Sequence, residues 1–313
     1  MKRFLILVLT FSSILLLGCY AYFYLADGST DANYLKFTTP RQTALIIGSS
    51  RAAQGIQPKF LNSYLKRNDI YNFAFNVKES PYGRPYLKSI QRKLESQTQA
   101  GIFILEVNPW TIGIDSVTVL KTGGYRETDN FLDNTHFVAL KPNIEYLIES
   151  YPESYINIFK DKSKVGLNET FFVEADGWLN VTISLEGKTT SERTEKKIIR
   201  YNKLLSQYSS PSSYRLESLE NTIRFLKQHG QVYLVRMPII NGMFKIENEL
   251  LSDFNDVMYA IAEETGVVYF NMMPDRDFYT YTDGNHLDQV SGRQFSINLA
   301  ELIMGSRNPN NKE

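Results

Sequence analysis

The sequence predicts an α/β protein with a doubly wound parallel sheet, flanked by helices in a three-layer arrangement. Short apolar runs ending in glycine or polar residues alternate with segments whose apolar residues recur at helical spacing. Such alternation is typical of a parallel sheet, whose strands are buried on both faces. We therefore divide the chain into a membrane anchor (1–26), a linker (27–42), an α/β domain (43–304) containing a central insertion (111–213), and a polar tail (305–313).

The first 26 residues predict a membrane anchor. Lys2 and Arg3 precede an uncharged run from Phe4 to Ala26, which as a helix spans roughly 35 Å, enough to cross a bilayer. The basic flank predicts a cytoplasmic N-terminus and a domain on the extracytoplasmic side, periplasmic or at the cell surface. Two alternatives remain open. One is a cleaved signal peptide; the other is a lipoprotein signal, because Leu16-Leu17-Gly18-Cys19 resembles a bacterial lipobox.

Composition excludes several classes of function. Lys plus Arg and Asp plus Glu are balanced at 34 each, without a long basic block, so nucleic-acid binding is not expected. Cys19 is the only cysteine, which leaves the domain without a disulfide, a zinc–thiolate site or a cysteine nucleophile. The three histidines lack the spacing of metal ligands, so we predict no metal and no cofactor.

Strands and helices are predicted in alternation along the domain. Strands are expected at 44–47, 70–75, 101–105, 232–235 and 267–270. Helices are expected at 58–65, 85–94, 216–226, 246–265 and 289–304. Between 111 and 213 the periodicity is weaker and turn residues are frequent, which indicates an insertion near the strand ends that determines substrate specificity.

Polar residues follow the predicted strands at the edge where ligands of such sheets bind. They are Ser49, Ser50 and Arg51, then Asn72 and Asn76, Glu106 and Asn108, Arg236, and finally Asp283 and His286. Five separate loops thus deliver hydrogen-bonding groups to one edge, which predicts a site there.

Asp283 and His286 form the most informative pair. An aspartate three residues before a histidine on a glycine-containing turn can accept the Nδ1 proton, which leaves Nε2 free as a base. Ser50, at the end of the first apolar run, is the best-placed nucleophile. Together these residues predict a serine hydrolase or acyltransferase. The alternative is that the serine turn only caps the following helix and that Asp283 to His286 is an ordinary surface turn.

Two residue blocks resemble the SGNH (GDSL-like) hydrolase family. Gly48-Ser49-Ser50 stands where that family has Gly-Asp-Ser after the first strand, and this carries the nucleophile role to Ser50. Asp283 to His286 matches the family's Asp-x-x-His block, with Leu287 and Gly292 continuing the match. The resemblance covers about 43–110 and 230–304 and leaves out the middle of the chain.

The other two family blocks are altered. Glu106-Val107-Asn108-Pro109 keeps the asparagine of the Gly-x-Asn-Asp block but lacks its glycine and aspartate. The glycine of the second block has its nearest equivalent in Asn76 or Val77. By this resemblance, the Ser50 N–H, the Asn108 side-chain amide and Asn76 are the expected oxyanion donors.

Gly-Ser-Ser-Arg together with an N-terminal anchor is similar to the membrane-tethered branch of this superfamily, which includes alginate O-acetyltransferase-like and D-alanyl transfer proteins. The resemblance implies acyl-ester chemistry on an extracytoplasmic polymer. The expected substrate is an acylated polysaccharide or another ester, and a membrane-bound acyltransferase is the expected partner. Hydrolysis and transfer remain open because water or a sugar hydroxyl can resolve the same acyl-enzyme.

Two arginines are predicted to bind a substrate carboxylate or phosphate, since guanidinium groups suit planar anions. They are Arg51 and Arg236. The alternatives are that Arg51 pairs with an acid such as Glu106 and that Arg236 belongs to a buried ion pair. A second class of function also remains open, in which the chain is a non-catalytic assembly or polymer-binding subunit.

Overall fold

A computed structural model describes residues 1–122, 124–128, 130–160 and 170–307. Residues 308–313 of the predicted tail lie outside the described part. The strands are β1 (Ala44–Ile47), β2 (Ile70–Asn72), β3 (Gly101–Glu106), β4 (Ile114–Asp115), β5 (Thr170–Val173), β6 (Leu179–Thr182), β7 (Tyr208–Ser209), β8 (Gly230–Arg236) and β9 (Val268–Asn271).

The α-helices begin with a long N-terminal helix and end with a long C-terminal one. They are α1 (Lys2–Tyr24), α2 (Ser50–Gly55), α3 (Pro58–Tyr64), α4 (Arg84–Lys93), α5 (Ser116–Thr122), α6 (Phe131–Asn134), α7 (Ile144–Glu149), α8 (Asn157–Lys160), α9 (Gly187–Leu205), α10 (Ser213–Lys227), α11 (Asn241–Leu250), α12 (Phe254–Thr265) and α13 (Gln289–Arg307). Among the described residues, 3₁₀ turns cover Tyr34–Phe37 and Met273–Phe278.

The central sheet is parallel throughout, with strand order β2-β1-β3-β8-β9. Every residue of β1, β2 and β3 is buried, because helices cover both faces of the sheet. The predicted α/β class with a parallel sheet flanked by helices is confirmed.

Alternate strand residues pack into two separate cores. Leu45 and Ile47 face a core that includes side chains of α4, α10 and α12. Ala44 and Ile46 face the opposite core, with side chains of α2, α3 and α13. The sheet is thus the middle of three layers, and the carboxyl ends of its strands open on one edge.

The N-terminal helix α1 is long and apolar enough to cross a membrane, by length and composition, and a signal sequence would have the same properties. None of its residues is buried. At its end, the Tyr22 hydroxyl donates to the backbone oxygen of Tyr155 at 2.5 Å. The predicted linker 27–42 is not a free tether, because Tyr34 and Phe37 are packed into the core.

The segment 111–213 contains more regular structure than its weak periodicity suggests. β4 pairs with β7, and β5 with β6, both antiparallel. Helix α9, 19 residues long, packs on α11 through a small apolar cluster that includes Tyr201, Trp110 and Met243.

One predicted helix is wrong in its extent. The helix expected over 246–265 is two helices, α11 and α12, separated at Leu251 to Asp253. Leu251 is extended and buried, and Asp253 is the N-cap residue of α12. The two helices pack differently, because Met243 and Ile246 of α11 lie in the small cluster with Tyr201 of α9, whereas Phe254 and Met258 of α12 lie in the sheet core. Gly266 ends α12 in the left-handed conformation, as a helix-terminating glycine does.

Candidate active site

The loop after β1 brings Ser50 to the edge of the sheet. Gly48 has a φ of +146°, and a Cβ there would lie 2.6 Å from the Cβ of Glu106, so only glycine fits. Ser49 is the N-cap of α2, and its side chain accepts a hydrogen bond from the Arg51 N–H. The buried Glu106 carboxylate accepts the Ser49 N–H at 2.8 Å. These contacts fix the turn whose next residue, Ser50, begins α2.

Ser50, His286 and Asp283 lie in hydrogen-bonding order. Ser50 Oγ is 2.8 Å from His286 Nε2, although 235 residues separate the two positions in the chain. His286 Nδ1 lies 2.9 Å from Asp283 Oδ2 and 3.0 Å from Oδ1. The same carboxylate accepts the backbone N–H of His286 at 3.0 Å, so the Asp-x-x-His turn folds back on itself. Because Nδ1 faces a carboxylate, the proton resides there and Nε2 can accept the serine hydroxyl.

The charges around this trio keep the carboxylate ionised and the imidazole neutral. Burial would raise the pKa of Asp283, but the His286 ring and the Lys197 ammonium hold that pKa well below its usual range. Burial lowers the pKa of His286. Asp283 opposes this shift, while the positive charges of Lys197 and Arg51 add to it. A neutral imidazole is the form that can remove a proton.

Sequence reasoning missed Lys197. Its Nζ lies 2.8 Å from Asp283 Oδ2, and it projects from α9, inside the predicted insertion. Arg193, one turn earlier, donates to the backbone oxygen of Thr282. Helix α9 therefore contacts the turn that carries Asp283 and His286 through two side chains. No local pattern in the sequence distinguishes Lys197 from the other lysines of α9.

A cavity of about 290 Å³ opens at the Ser50 hydroxyl. Its lining combines residues after β2 with residues of α9 and its surroundings. They are Ser50, Asn76, Val77, Lys78, Glu79, Arg126, Lys197, Arg200, Tyr201, Leu204, Tyr208 and His286. The volume is near the lower end for small-molecule sites. Among the described residues, no group of histidine, cysteine and carboxylate side chains is arranged to hold a metal ion.

The three expected oxyanion donors differ in whether their N–H groups are free to bind an anion. The Ser50 N–H is at the start of a helix, where no intrahelical acceptor is available. Asn76 lines the cavity. Its Oδ1 accepts the N–H groups of Lys78 and Glu79, so its side-chain NH₂ group points away from those two residues.

Asn108 is not placed as an oxyanion donor. Its side-chain nitrogen donates to Glu106 Oε1 at 2.6 Å and contacts Ser49 Oγ at 3.4 Å. Its Oδ1 accepts the N–H groups of Trp110 and Thr111. Asn108 thus holds the turn after β3 and contacts the Ser49–Ser50 turn, and its amide nitrogen is used within the protein.

The two arginines predicted to bind substrate are instead buried together. Arg51 and Arg236 are each 3% exposed and share the fully buried carboxylate of Glu247, at 2.5 Å and 3.3 Å. Arg51 also donates to Asn285 Oδ1 through Nε and Nη2. This corrects the substrate-binding prediction, because neither guanidinium lines the cavity. For Arg236 the buried ion-pair alternative applies, and for Arg51 the partner is Glu247 and not Glu106.

The Arg51 contact still bears on the site. Asn285 lies next to His286 in the chain, and its side-chain nitrogen is 3.4 Å from His286 Nε2. By holding the Asn285 oxygen, Arg51 orients that amide towards the imidazole. Glu247, which sequence reasoning also missed, supports this arrangement from α11.

Comparisons with known proteins do not assign this chain to a family. No protein-family model matches the chain, and no curated protein matches it. Among solved structures, an inhibitor-bound aryl esterase of M. smegmatis is similar, with a TM-score of 0.34 and 10% sequence identity, over 85% of this chain and 99% of that one. A likeness this distant leaves activity and substrate to the geometry of the site.

Proposed function

We propose that this chain is a membrane-tethered serine esterase or O-acyltransferase of the SGNH type, with Ser50 as nucleophile. The observation that carries the proposal is the hydrogen-bonded order of Ser50 Oγ, His286 and Asp283, assembled from opposite ends of the domain. In an ordinary surface turn, we would not expect the imidazole to lie within hydrogen-bonding distance of the Ser50 hydroxyl, which belongs to another loop.

In the first step, Ser50 Oγ attacks the carbonyl carbon of an ester while its proton passes to His286 Nε2. Asp283 holds the ring and stabilises the imidazolium that forms. When the tetrahedral intermediate collapses, the bond to the alcohol oxygen breaks, and His286 returns the proton to that oxygen. The acyl group is then bound to Ser50 through an ester.

The oxyanion of the intermediate requires positioned N–H donors. We assign this role to the Ser50 N–H and to the side-chain amide of Asn76. Removing one such donor typically lowers kcat by ~10²–10³-fold. Asn108 acts indirectly, by positioning the Ser49–Ser50 turn.

The second half of the reaction transfers the acyl group to water or to another hydroxyl, with His286 acting first as base and then as acid. We propose that the acyl donor or acceptor is an O-acylated surface polysaccharide, and that the segment 111–213 selects it. The position of α9 at the cavity supports this proposal, since Lys197, Arg200 and Tyr201 all come from that helix.

The tether supports an extracytoplasmic location for the domain, with a membrane-bound acyltransferase as a partner if the reaction is transfer. Lys2 and Arg3 precede the apolar helix α1, and such a basic flank favours the cytoplasmic side. The contact between Tyr22 and Tyr155 would hold the domain close to the end of that helix. Ile148 and Ile156, 62% and 49% exposed, lie in the same segment as Tyr155 and suit a membrane interface.

The direct test is hydrolysis of an acetylated chromogenic ester by the detergent-solubilised protein and by Ser50→Ala. We expect the variant to lose at least ~10³-fold in kcat, as nucleophile removal does in serine hydrolases. Ser63→Ala, at an exposed position of helix α3, serves as the matched control. Equal rates for wild type and Ser50→Ala would remove Ser50 from the nucleophile role.

One observation favours the rival, a non-catalytic binding subunit: the Asn108 amide is used inside the protein, which leaves one fewer donor for an oxyanion. A fluorophosphonate separates the two functions, because it bonds covalently only to an activated serine. Absence of an adduct would favour the binding subunit.

A further inference from the structure

The cavity at Ser50 has a strongly positive lining. Among the described residues, four cationic side chains border it (Lys78, Arg126, Lys197 and Arg200), against the single carboxylate of Glu79. They come from three separate segments of the chain: the loop after β2, the loop after α5, and helix α9. Their convergence is therefore a property of the tertiary structure and not of one solvated helix face.

Two of the four cations have no ion-pair partner within the described part of the protein. Lys197 is paired with Asp283 at 2.8 Å. Arg126 is 3.8 Å from Asp115, and its side chain is 37% exposed. No carboxylate among the described residues forms an ion pair with Lys78 or Arg200, and the Glu79 carboxylate accepts a hydrogen bond from Asn130.

The cations also act on one another. The pKa of Lys78 is lowered by burial and then by the positive charges of Arg126 and Arg200, against the opposing effect of Glu79. Like charges held around one cavity repel, and an anion placed between them would relieve that repulsion.

Resting on the proposed function, we infer that this cavity binds a negatively charged group, a carboxylate, phosphate or sulfate, carried by the substrate close to its reacting ester. Arg200 and Arg126 are the main ligands because guanidinium groups bind such anions with paired N–H donors. Lys78 adds a point charge.

The arrangement of α9 limits how far the anion lies from the ester. Arg200 is three residues after Lys197, so both lie on the same side of the helix, within one turn. Lys197 contacts Asp283, whose other partner is His286. An anion at Arg200 is thus near the catalytic histidine. The charge therefore belongs to the sugar or acyl group at the reacting bond, and not to a distant unit of a polymer.

The test compares two matched esters, an O-acetylated methyl glucuronoside and the O-acetylated methyl glucoside, which differ by a carboxylate in place of a hydroxymethyl group. The readout is kcat/KM for loss of the acetyl group. At low ionic strength we expect the wild type to favour the uronoside by about tenfold or more, the size of effect that a charged hydrogen bond provides. Added salt should reduce that preference.

Arg200→Gln should reduce the uronoside-to-glucoside ratio by about tenfold. Lys203→Gln is the matched control, because it removes a positive charge from an exposed position of the same helix that does not line the cavity. Arg126→Gln provides an independent second variant. A ratio near one in the wild type, or a ratio that Arg200→Gln leaves unchanged, would overturn the inference.

Binding of methyl glucuronoside, which carries no ester, separates this inference from the proposed function. It is measured by calorimetry on Ser50→Ala and on the double variant Ser50→Ala/Arg200→Gln. Binding to the first that weakens about tenfold in the second supports the anion site even if no ester is cleaved. Ester cleavage without preference and without binding overturns the anion site and leaves the esterase intact.

Discussion

Replacing Glu247 by glutamine tests the buried charge cluster next to the candidate active site. Glu247 is fully buried and accepts from both Arg51 and Arg236, whose side chains are 3% exposed. Glutamine keeps the size of the side chain and one acceptor oxygen, but removes the negative charge. Two guanidinium groups would then be buried without the carboxylate that pairs with both, and Arg51 Nη1 already has no hydrogen-bond partner.

The size of the effect follows from this burial. Breaking a buried ion pair by removing one partner costs about 3–5 kcal/mol. Because glutamine retains an acceptor, we expect the lower end, about 3 kcal/mol. For a domain of some 265 residues the entropy of unfolding is about 0.6 kcal/mol per degree, so Tm should fall by about 5 °C.

The assay is thermal denaturation followed by circular dichroism, with the exposed Glu249→Gln on the same helix as control. The control should change Tm by less than about 1 °C, since surface changes are usually within about 0.5 kcal/mol. If both variants had the same Tm as the wild type, Glu247 would not be the stabilising counter-charge of the two arginines. The direct substrate-binding role of those arginines would then return to consideration.

Three further predictions concern charge and backbone geometry. Lys197→Met removes a positive charge next to the carboxylate that His286 contacts, so the acidic limb of the pH–rate profile should move to higher pH; an unmoved limb would contradict the account of the His286 pKa. Gly48→Ala places a Cβ against Glu106 at a positive φ, and should lower the free energy of unfolding in urea by about 1–3 kcal/mol and the esterase rate with it. Burial lowers the pKa of Lys36 from 10.5 to about 7. Between these pH values the unfolded chain binds more protons than the folded chain, so wild-type stability should rise with pH. Lys36→Met should flatten that rise, as shown by urea denaturation at pH 7 and pH 9.5.

The sheet could be predicted because its strands are short, largely buried runs whose apolar character is visible without knowledge of their neighbours. The carboxyl ends of parallel strands meet at one edge by topology alone. For this reason Ser50, Asp283 and His286 could be named as partners from the sequence, and the structure brings them within hydrogen-bonding distance. Their catalytic role remains a prediction.

The surroundings of the site could not be predicted because they depend on tertiary packing. Helix α9 reaches Asp283 only because it packs on α11, and nothing in the local sequence of Lys197 reflects this. Glu247 likewise resembles an ordinary helical acid until Arg51 and Arg236 are seen on either side of it. The Asn108 turn is the exception, since Asn-Pro is a known turn opener and its side chain is used for that turn.

The central claim is that Ser50 is a hydroxyl activated by His286. Treating the full-length protein with a fluorophosphonate and mapping the adduct by peptide mass spectrometry tests it most directly. We predict one adduct, on Ser50, absent in Ser50→Ala and slowed at least ~10²-fold in His286→Ala. An adduct on another serine, such as the neighbouring Ser49, or equal labelling in His286→Ala, would contradict the claim.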